Sequence, residues 1–476
     1  MTDSSQRQGI VASWRNGLAG LHLQAWVRRQ TWLQRFYRMF PTSLRGRVSA
    51  ALSARSVIQT RFQRTSAWER AAGEARASLD AEMQNAPPTP PTPPTPPTPP
   101  TPPTPTPTAA AGINILGYIR GEFGLAESAR MYARALINAG ASVSLYDLDM
   151  GLPHSWRDRS MDAFIDQRMP HRVTIVFVNP DYLEAAFEQV GRARLAGHYV
   201  IACWFWELEV IPSTWLRAIE LVDEIMVASQ FIESAFRHVT DKPIMRVPLP
   251  VSDLRDSGLQ REDFGLPAGK FTFLFSFDFH SVAARKNPQA VVHAFQQAFP
   301  NKRDDVHLVL KSSNGHMYPE QMRELLALVV GDARIQLRDE VIDKMHVRAL
   351  QRCCDVYVSL HRAEGFGLGL AECMSLGKPV IATGWSGNME FMTESNSVLV
   401  PYDLVPVAGR YPESEGAQWA EPKVARAADA MRRLADDPEY ARAIGEAARR
   451  DVGLKLAPDR AAQAILFRTA NVLAAS

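Results

Sequence analysis

From Gly112 onward the chain alternates short β-rich runs with longer stretches of helical periodicity, and this alternation restricts the fold more than any other feature. The first series of runs covers 113–117, 142–147, 173–178, 199–203, 224–228 and 244–247. The second covers 271–277, 306–311, 334–337, 355–359, 379–383 and 397–400. Strand–helix alternation implies parallel sheets with helices on both faces. Some twelve strands are too many for one such sheet and suit two sheets of about six. The break falls near 251–267, where Pro248, Pro250, Gly258 and Pro267 punctuate the chain. Two doubly wound, Rossmann-like domains are therefore expected, over 111–250 and 251–476, with the terminal helices returning to the first. Such domains place the carboxyl ends of their strands, where ligands bind, across one cleft.

The region before Gly112 obeys different rules. Pro87 to Pro107 reads PPTPPTPPTPPTPPTPPTPTP and holds 14 of the chain's 33 prolines. Proline has no N–H and a fixed φ, so helix and central strand are both excluded. The expectation over 86–110 is a polyproline II spacer of roughly 65 Å. Residues 1–85 carry 13 Arg, no Lys and 5 acidic residues, a balance of +8. The remaining 40 basic and 46 acidic groups give −6, so the formal +2 hides a basic head on a mildly acidic body. Within that head, Trp14, Leu18, Leu21, Trp26, Leu33 and Phe36 recur at helical spacing among Arg15, Arg28, Arg29, Arg35 and Arg38. An Arg- and Trp-bearing amphipathic helix suits an anionic membrane surface. Packing on the body or on another subunit is the alternative reading, and no nucleic-acid module is present.

Composition excludes several classes. Hydrophobic residues at 46% and charged residues at 22% rule out a wholly disordered chain. No apolar run approaches the ~18 residues of a membrane span, and no signal-peptide pattern opens the sequence. Cys203, Cys353, Cys354 and Cys373 are too few and too badly spaced for a disulfide framework or zinc site. A cytoplasmic protein is expected, peripheral on the inner face of the membrane if the head binds lipid.

The densest chemistry lies in DVYVSLHRAEGFGLGLAECMSLGKPVIATGWSGNMEFM, Asp355 to Met392. A strand runs into a loop with Glu364, Gly365, Gly367 and Gly369, and a helix then carries Glu372. Glycines at such a turn let backbone approach a ligand, and the helix N-terminus offers free N–H groups to phosphate. Glu364 and Glu372 can face one crevice, each accepting hydrogen bonds from vicinal hydroxyls. Glu364 and Glu372, seven residues intervening, resemble the paired-glutamate motif of retaining family-4 glycosyltransferases of the GT-B fold. GYIRGEFGLAESAR and WSGNMEF extend the likeness, towards bacterial enzymes that build surface polysaccharide, over Gly112 to about Gly453. The resemblance implies that Glu372 holds the nucleotide ribose and Glu364 the transferred sugar. It also implies that the backbone of Gly365, Phe366, Gly367, Leu368 and Gly369 lies against sugar and diphosphate.

Lys286, in FSFDFHSVAARKNP, matches the family lysine that neutralises phosphate charge. The family's arginine, usually five or six residues earlier, is replaced by His280 and Ser281. Either Arg285 takes that role from a different backbone position or Ser281 donates a hydrogen bond instead. Lys311, at the end of the next strand, is a weaker candidate for the same charge, with a solvated strand end as the equal alternative. In the first domain Gly117, Gly121 and Gly124 have spacing G-x-x-x-G-x-x-G, which is not the dinucleotide fingerprint. The resemblance implies a loop facing acceptor and donor phosphate; a tight strand–helix turn is the plainer alternative. Trp204, Trp206 and Glu207 end another strand, and the indoles either stack on an acceptor or belong to the core. Glu207 is a candidate cleft carboxylate. No cofactor or metal is expected beyond the nucleotide-diphosphate sugar itself. The expectation is a retaining glycosyltransferase acting on a glycan or lipid-linked acceptor in surface polysaccharide synthesis, with a non-catalytic glycosyltransferase-like adaptor of a membrane-surface assembly as the rival.

Overall fold

In the computed structural model, which describes residues 60–71 and 112–475 apart from 69, 153–154, 252–254, 301–302 and 410, each β-rich run forms a strand. The first sheet contains β1 (Ile113–Gly117), β2 (Val143–Asp147), β3 (Val173–Phe177), β4 (Tyr199–Cys203), β5 (Glu224–Val227) and β6 (Ile244–Arg246). Its order is β2-β1-β3-β4-β5-β6. The second contains β7 (Phe271–Asp278), β8 (Val306–Ser313), β9 (Ile335–Asp339), β10 (Val356–Ser359), β11 (Val380–Thr383) and β12 (Val398–Val400), ordered β12-β11-β10-β7-β8-β9. Every pairing in both sheets is parallel. The runs were legible because parallel strands are covered on both faces and are apolar throughout; all five residues of β1 are buried. The strand order reverses between β1 and β3 and between β7 and β10. Crevices for ligands open at those two points.

A third, antiparallel pair was not foreseen. β13 (Tyr402–Pro406) and β14 (Gln418–Pro422) form a hairpin on the second domain. Its loop carries Tyr411, and Tyr411, Ala417 and Trp419 pack into a cluster otherwise drawn mainly from the first domain, with Trp206 and Trp215.

Two crossings join the domains, and the Val251 N–H donates to the Leu456 carbonyl at 2.9 Å, tying one to the other. The terminal helix Pro458–Ala475 then lies on the first-domain helix Gly124–Asn138. Arg468 Nε pairs at 2.8 Å with Glu224, a carboxylate only 1% exposed at the start of β5. Burial without that partner would leave Glu224 uncompensated, so the pair pins the returning helix.

Residues 60–71 are attached to the second domain. The Thr60 carbonyl accepts from the Asp339 N–H at 2.6 Å beside edge strand β9, and Arg64 pairs with Glu340 at 2.8 Å. Phe62 and Trp68 are buried against Phe264, with ring centroids at 5.7 and 5.2 Å, and Trp68 also meets His346. The head-on-a-spacer expectation therefore does not extend to this segment: its aromatic residues have an apolar seat on the body. The amphipathic stretch over 10–40 and the Pro/Thr tract lie outside the described residues. Trp68→Ala should lower stability by about 3–5 kcal/mol in urea denaturation. An unchanged midpoint would show that the segment is not seated.

Candidate active site

The two loops at the β7/β10 crevice are built from sparsely populated backbone conformations. After β7 a single turn, Phe279–Ser281, leads to Val282 at φ 60°, and the short helix Ala283–Lys286 follows. A β-branched residue seldom adopts a left-handed conformation, so this turn stores strain that the packing must hold. After β10, His361 is fully buried, its ring nitrogens 3.0 Å from Ser359 Oγ and 3.1 Å from Asn388 Oδ1. Glu364 comes next. Its N–H donates to Ser386 Oγ at 2.9 Å and its carbonyl accepts from the Gly387 N–H at 2.8 Å. Ser386 itself sits at φ 78°.

Close backbone contact explains two of the glycines. A Cβ on Gly387 would stand 2.0 Å from the Gly365 carbonyl oxygen, and one on Gly365 would stand 2.9 Å from that of Trp206 in the first domain. The Gly365 carbonyl also accepts from Ser229 Oγ of the first domain at 2.8 Å. The glycine loop is thus wedged between the domains. Gly367, at φ 92°, leads into the helix Leu368–Ser375, which has no side-chain cap, so its N-terminal N–H groups are not satisfied by a capping side chain.

Four charges meet here. Lys286 Nζ contacts Glu364 Oε1. Arg285 Nη1 lies 3.3 Å from Glu364 Oε2 and donates to the Ala363 carbonyl at 2.8 Å, while its Nη2 lies 3.3 Å from Glu207 Oε1. Tyr411 donates to Glu207 Oε2 at 3.0 Å. Burial alone would raise the Glu364 pKa, but Lys286 and Arg285 outweigh it and hold the carboxyl down at about 2. Burial lowers the Lys286 pKa against the pull of Glu364. For Arg285, burial is outweighed by Glu207 and Glu364, and its pKa is raised. Glu372, 8% exposed, accepts from Gln351 Nε2 at 3.1 Å.

The other sequence candidates are more dispersed. Gly117 closes on Phe177, where a Cβ would stand 3.0 Å from the phenylalanine Cβ. The Gly121 carbonyl accepts from Arg130 Nη1 at 2.7 Å, and Gly124 opens its helix. That helix carries buried Glu127, which pairs with Arg130 at 2.8 Å and contacts Lys344 across the cleft. Both indoles are core: Trp204 Nε1 donates to the Val178 carbonyl and Trp206 Nε1 to that of Val210. Glu207 alone of that run reaches the cleft. Ser281 ends its turn without joining the charged cluster, and Lys311 is buried in the field of Asp278 and Asp339. Gln351 and Tyr411 were missed; neither belongs to a short motif, and Tyr411 finds its partner 204 residues away. Among the described residues no group of three His, Cys, Asp or Glu could hold a metal ion, and no helix is long and apolar enough to cross a membrane.

Residues 271–409 match the model of a family described as Glycosyl transferases group 1. The match begins with β7, includes Lys286, Glu364 and Glu372, and ends in the hairpin. No curated protein matches the chain. Among solved structures, sucrose-phosphate synthase from Thermosynechococcus elongatus is 18% identical with a TM-score of 0.57, covering 77% of this chain and 100% of that one. HepE of Anabaena, in complex with UDP and glucose, is 14% identical with a TM-score of 0.55 and the same coverage.

The chain has the GT-B fold. In GT-B terms, Lys286 and Glu364 stand at the reversal point of the second sheet, and Glu207 enters from the first domain. Because the Glu364 pKa falls from 4.5 to about 2 on folding, its contribution to stability is complete above pH 4.5 and is lost as pH drops towards 2. Denaturation midpoints of wild type should decline across that window, and those of Glu364→Gln should decline less. Equal declines would show that Glu364 is not held by the two cations.

Proposed function

We propose that this protein is a nucleotide-sugar-dependent glycosyltransferase that transfers a sugar, with retention of configuration, to a glycan or lipid-linked acceptor in surface polysaccharide synthesis. The observation that carries the reading is the Lys286–Glu364 contact at the β7/β10 crevice, with Glu372 one helix turn beyond it, inside the stretch matched by the glycosyltransferase family.

On this reading the Glu372 carboxylate accepts hydrogen bonds from the ribose hydroxyls and Glu364 accepts from the transferred sugar. Lys286 and the uncapped helix N-terminus meet the diphosphate, and no metal is required. The sugar–phosphate bond breaks as the bond to the acceptor oxygen forms on the same face. The departing phosphate oxygen takes the acceptor proton, so no protein base is needed. His361 supports this division of labour, since both of its ring nitrogens are engaged by Ser359 and Asn388. Catalysis then comes from positioning and from stabilising the leaving diphosphate. The site would operate in the cytoplasm, with the basic residues preceding Thr60 meeting anionic lipid on the inner face of the membrane.

A mass-spectrometric screen of UDP- and GDP-sugars should find a donor that is turned over, and NMR of the product should show the donor's anomeric configuration. Glu372→Ala should lower transfer about 100-fold through lost donor binding, the worth of hydrogen bonds to a charged group. Near-normal turnover and donor affinity in that variant would remove the assignment, and a wild type inert towards every donor would favour the non-catalytic adaptor. Deleting residues 1–59 should release the protein from anionic vesicles while sparing transfer to a soluble acceptor; undiminished vesicle binding would contradict the lipid role.

A further inference from the structure

Arg285 stands beside Lys286, where a second phosphate cation would be expected, yet its guanidinium is buried and set between two carboxylates. Nη1 serves the Ala363 carbonyl and Glu364, and Nη2 serves Glu207. Its Nε–H has no acceptor and is buried away from solvent. A guanidinium grips phosphate through paired N–H groups, and here both of its Nη groups already face carboxylates. Turning to a diphosphate would draw Arg285 away from Glu207 or Glu364.

We propose that Arg285 is a strut across the cleft, through which Glu207 and Tyr411 position Glu364 against the transferred sugar, leaving the diphosphate to Lys286. The assignment rests on the nucleotide-sugar reading above and deepens it. Three parts of the molecule contribute. Glu207 follows β4 of the first domain, Arg285 and Glu364 belong to the second, and Tyr411 comes from the loop of the β13–β14 hairpin. That loop is itself clamped to the first domain. The Tyr411 ring lies 6.0 Å from Trp206 and 6.2 Å from Trp419, and Thr214 Oγ1 donates to Glu413 Oε1 at 2.8 Å.

Charge explains why Glu207 is needed. Arg285 and Lys286 bring two positive charges to Glu364, and Glu207 supplies the second negative one. Arg285 is thereby shared between two carboxylates. An ionised carboxylate has about four acceptor positions; Lys286 occupies one on Oε1 and Arg285 one on Oε2, which leaves two for sugar hydroxyls. The strut exists only while the domains are together, because opening the cleft carries Glu207 away from Arg285. Closure is thus registered at the carboxylate that holds the sugar, while the nucleotide contacts at Glu372 and Lys286 stay within the second domain.

These roles separate in a binding experiment on the full chain. Calorimetric titrations would use UDP and UDP-glucose, with GDP and GDP-mannose as the second pair. Tyr411→Phe, Glu207→Gln and Arg285→Gln should keep the affinity for the nucleoside diphosphate within about twofold and lower that for its sugar conjugate about 5- to 20-fold, the effect of one or two hydrogen bonds. Lys286→Met should lose affinity for both. The Glu207→Gln/Arg285→Gln double variant should be no worse than Arg285→Gln alone, since the two act in series. Tyr411→Phe removes a single hydroxyl and keeps the test available if a charge variant fails to fold. If Arg285→Gln weakens nucleoside diphosphate binding as much as Lys286→Met does, Arg285 is a phosphate ligand and the strut is refuted. Equal losses for both ligand types in Tyr411→Phe and Glu207→Gln would reduce the arrangement to general stability and refute it as well. Failure of wild type to bind either pair would instead overturn the nucleotide-sugar reading, and this assignment with it.

Discussion

A carboxylate largely withdrawn from water where two domains meet must be compensated, and much of the cleft is arranged around the compensation of Glu364. Removing an ionised carboxylate from water costs several kcal/mol unless cations and hydrogen bonds replace the lost solvation. Lys286 and Arg285 supply the charge here. Both lie on the short helix that follows the strained Val282, so a turn of unfavourable backbone delivers two adjacent cations to one acceptor. The cluster is balanced by Glu207, which brings the first domain into the same set of interactions.

The glycine loop has a matching constraint. Gly365 is approached from one side by the Trp206 carbonyl and from the other by Gly387, and side chains at either glycine would force the loops apart. The electrostatic contact and the steric contact therefore select the same closed arrangement. A second ionic link, Glu127 to Lys344, and the helix Pro458–Ala475 hold the domains together elsewhere along the interface. Buried pairs of this kind contribute little net stability, but losing one partner is expensive, so they specify the relative placement of the domains.

What could be read in advance divides along physical lines. Strands covered on both faces announce themselves as continuous apolar runs, and β1 and β4 have the residue limits that the sequence suggested. The β13–β14 hairpin escaped notice because its strands are only partly buried and a long loop separates them, which removes the short-turn signal. Lys286, Glu364 and Glu372 were singled out because loop and helix chemistry is encoded locally. The link from Arg285 to Glu207 was not, since it depends on a contact between domains. The sequence also left Trp204 and Trp206 divided between acceptor stacking and core, and the backbone carbonyls that accept from their indole N–H groups place both in the core. Phe62 and Trp68 belong with the second domain for a reason invisible in the head itself: Phe264 and His346 provide their seat.

The central claim is that one activated sugar is held between Glu364 and Glu372. A crystal structure of the full chain with a hydrolysis-resistant nucleotide sugar addresses it most directly. The account predicts ribose hydroxyls on Glu372, the diphosphate against Lys286 and the helix Leu368–Ser375, and sugar hydroxyls on Glu364. A donor lodged elsewhere, or one bound in the cleft with either carboxylate turned away from it, would contradict the account.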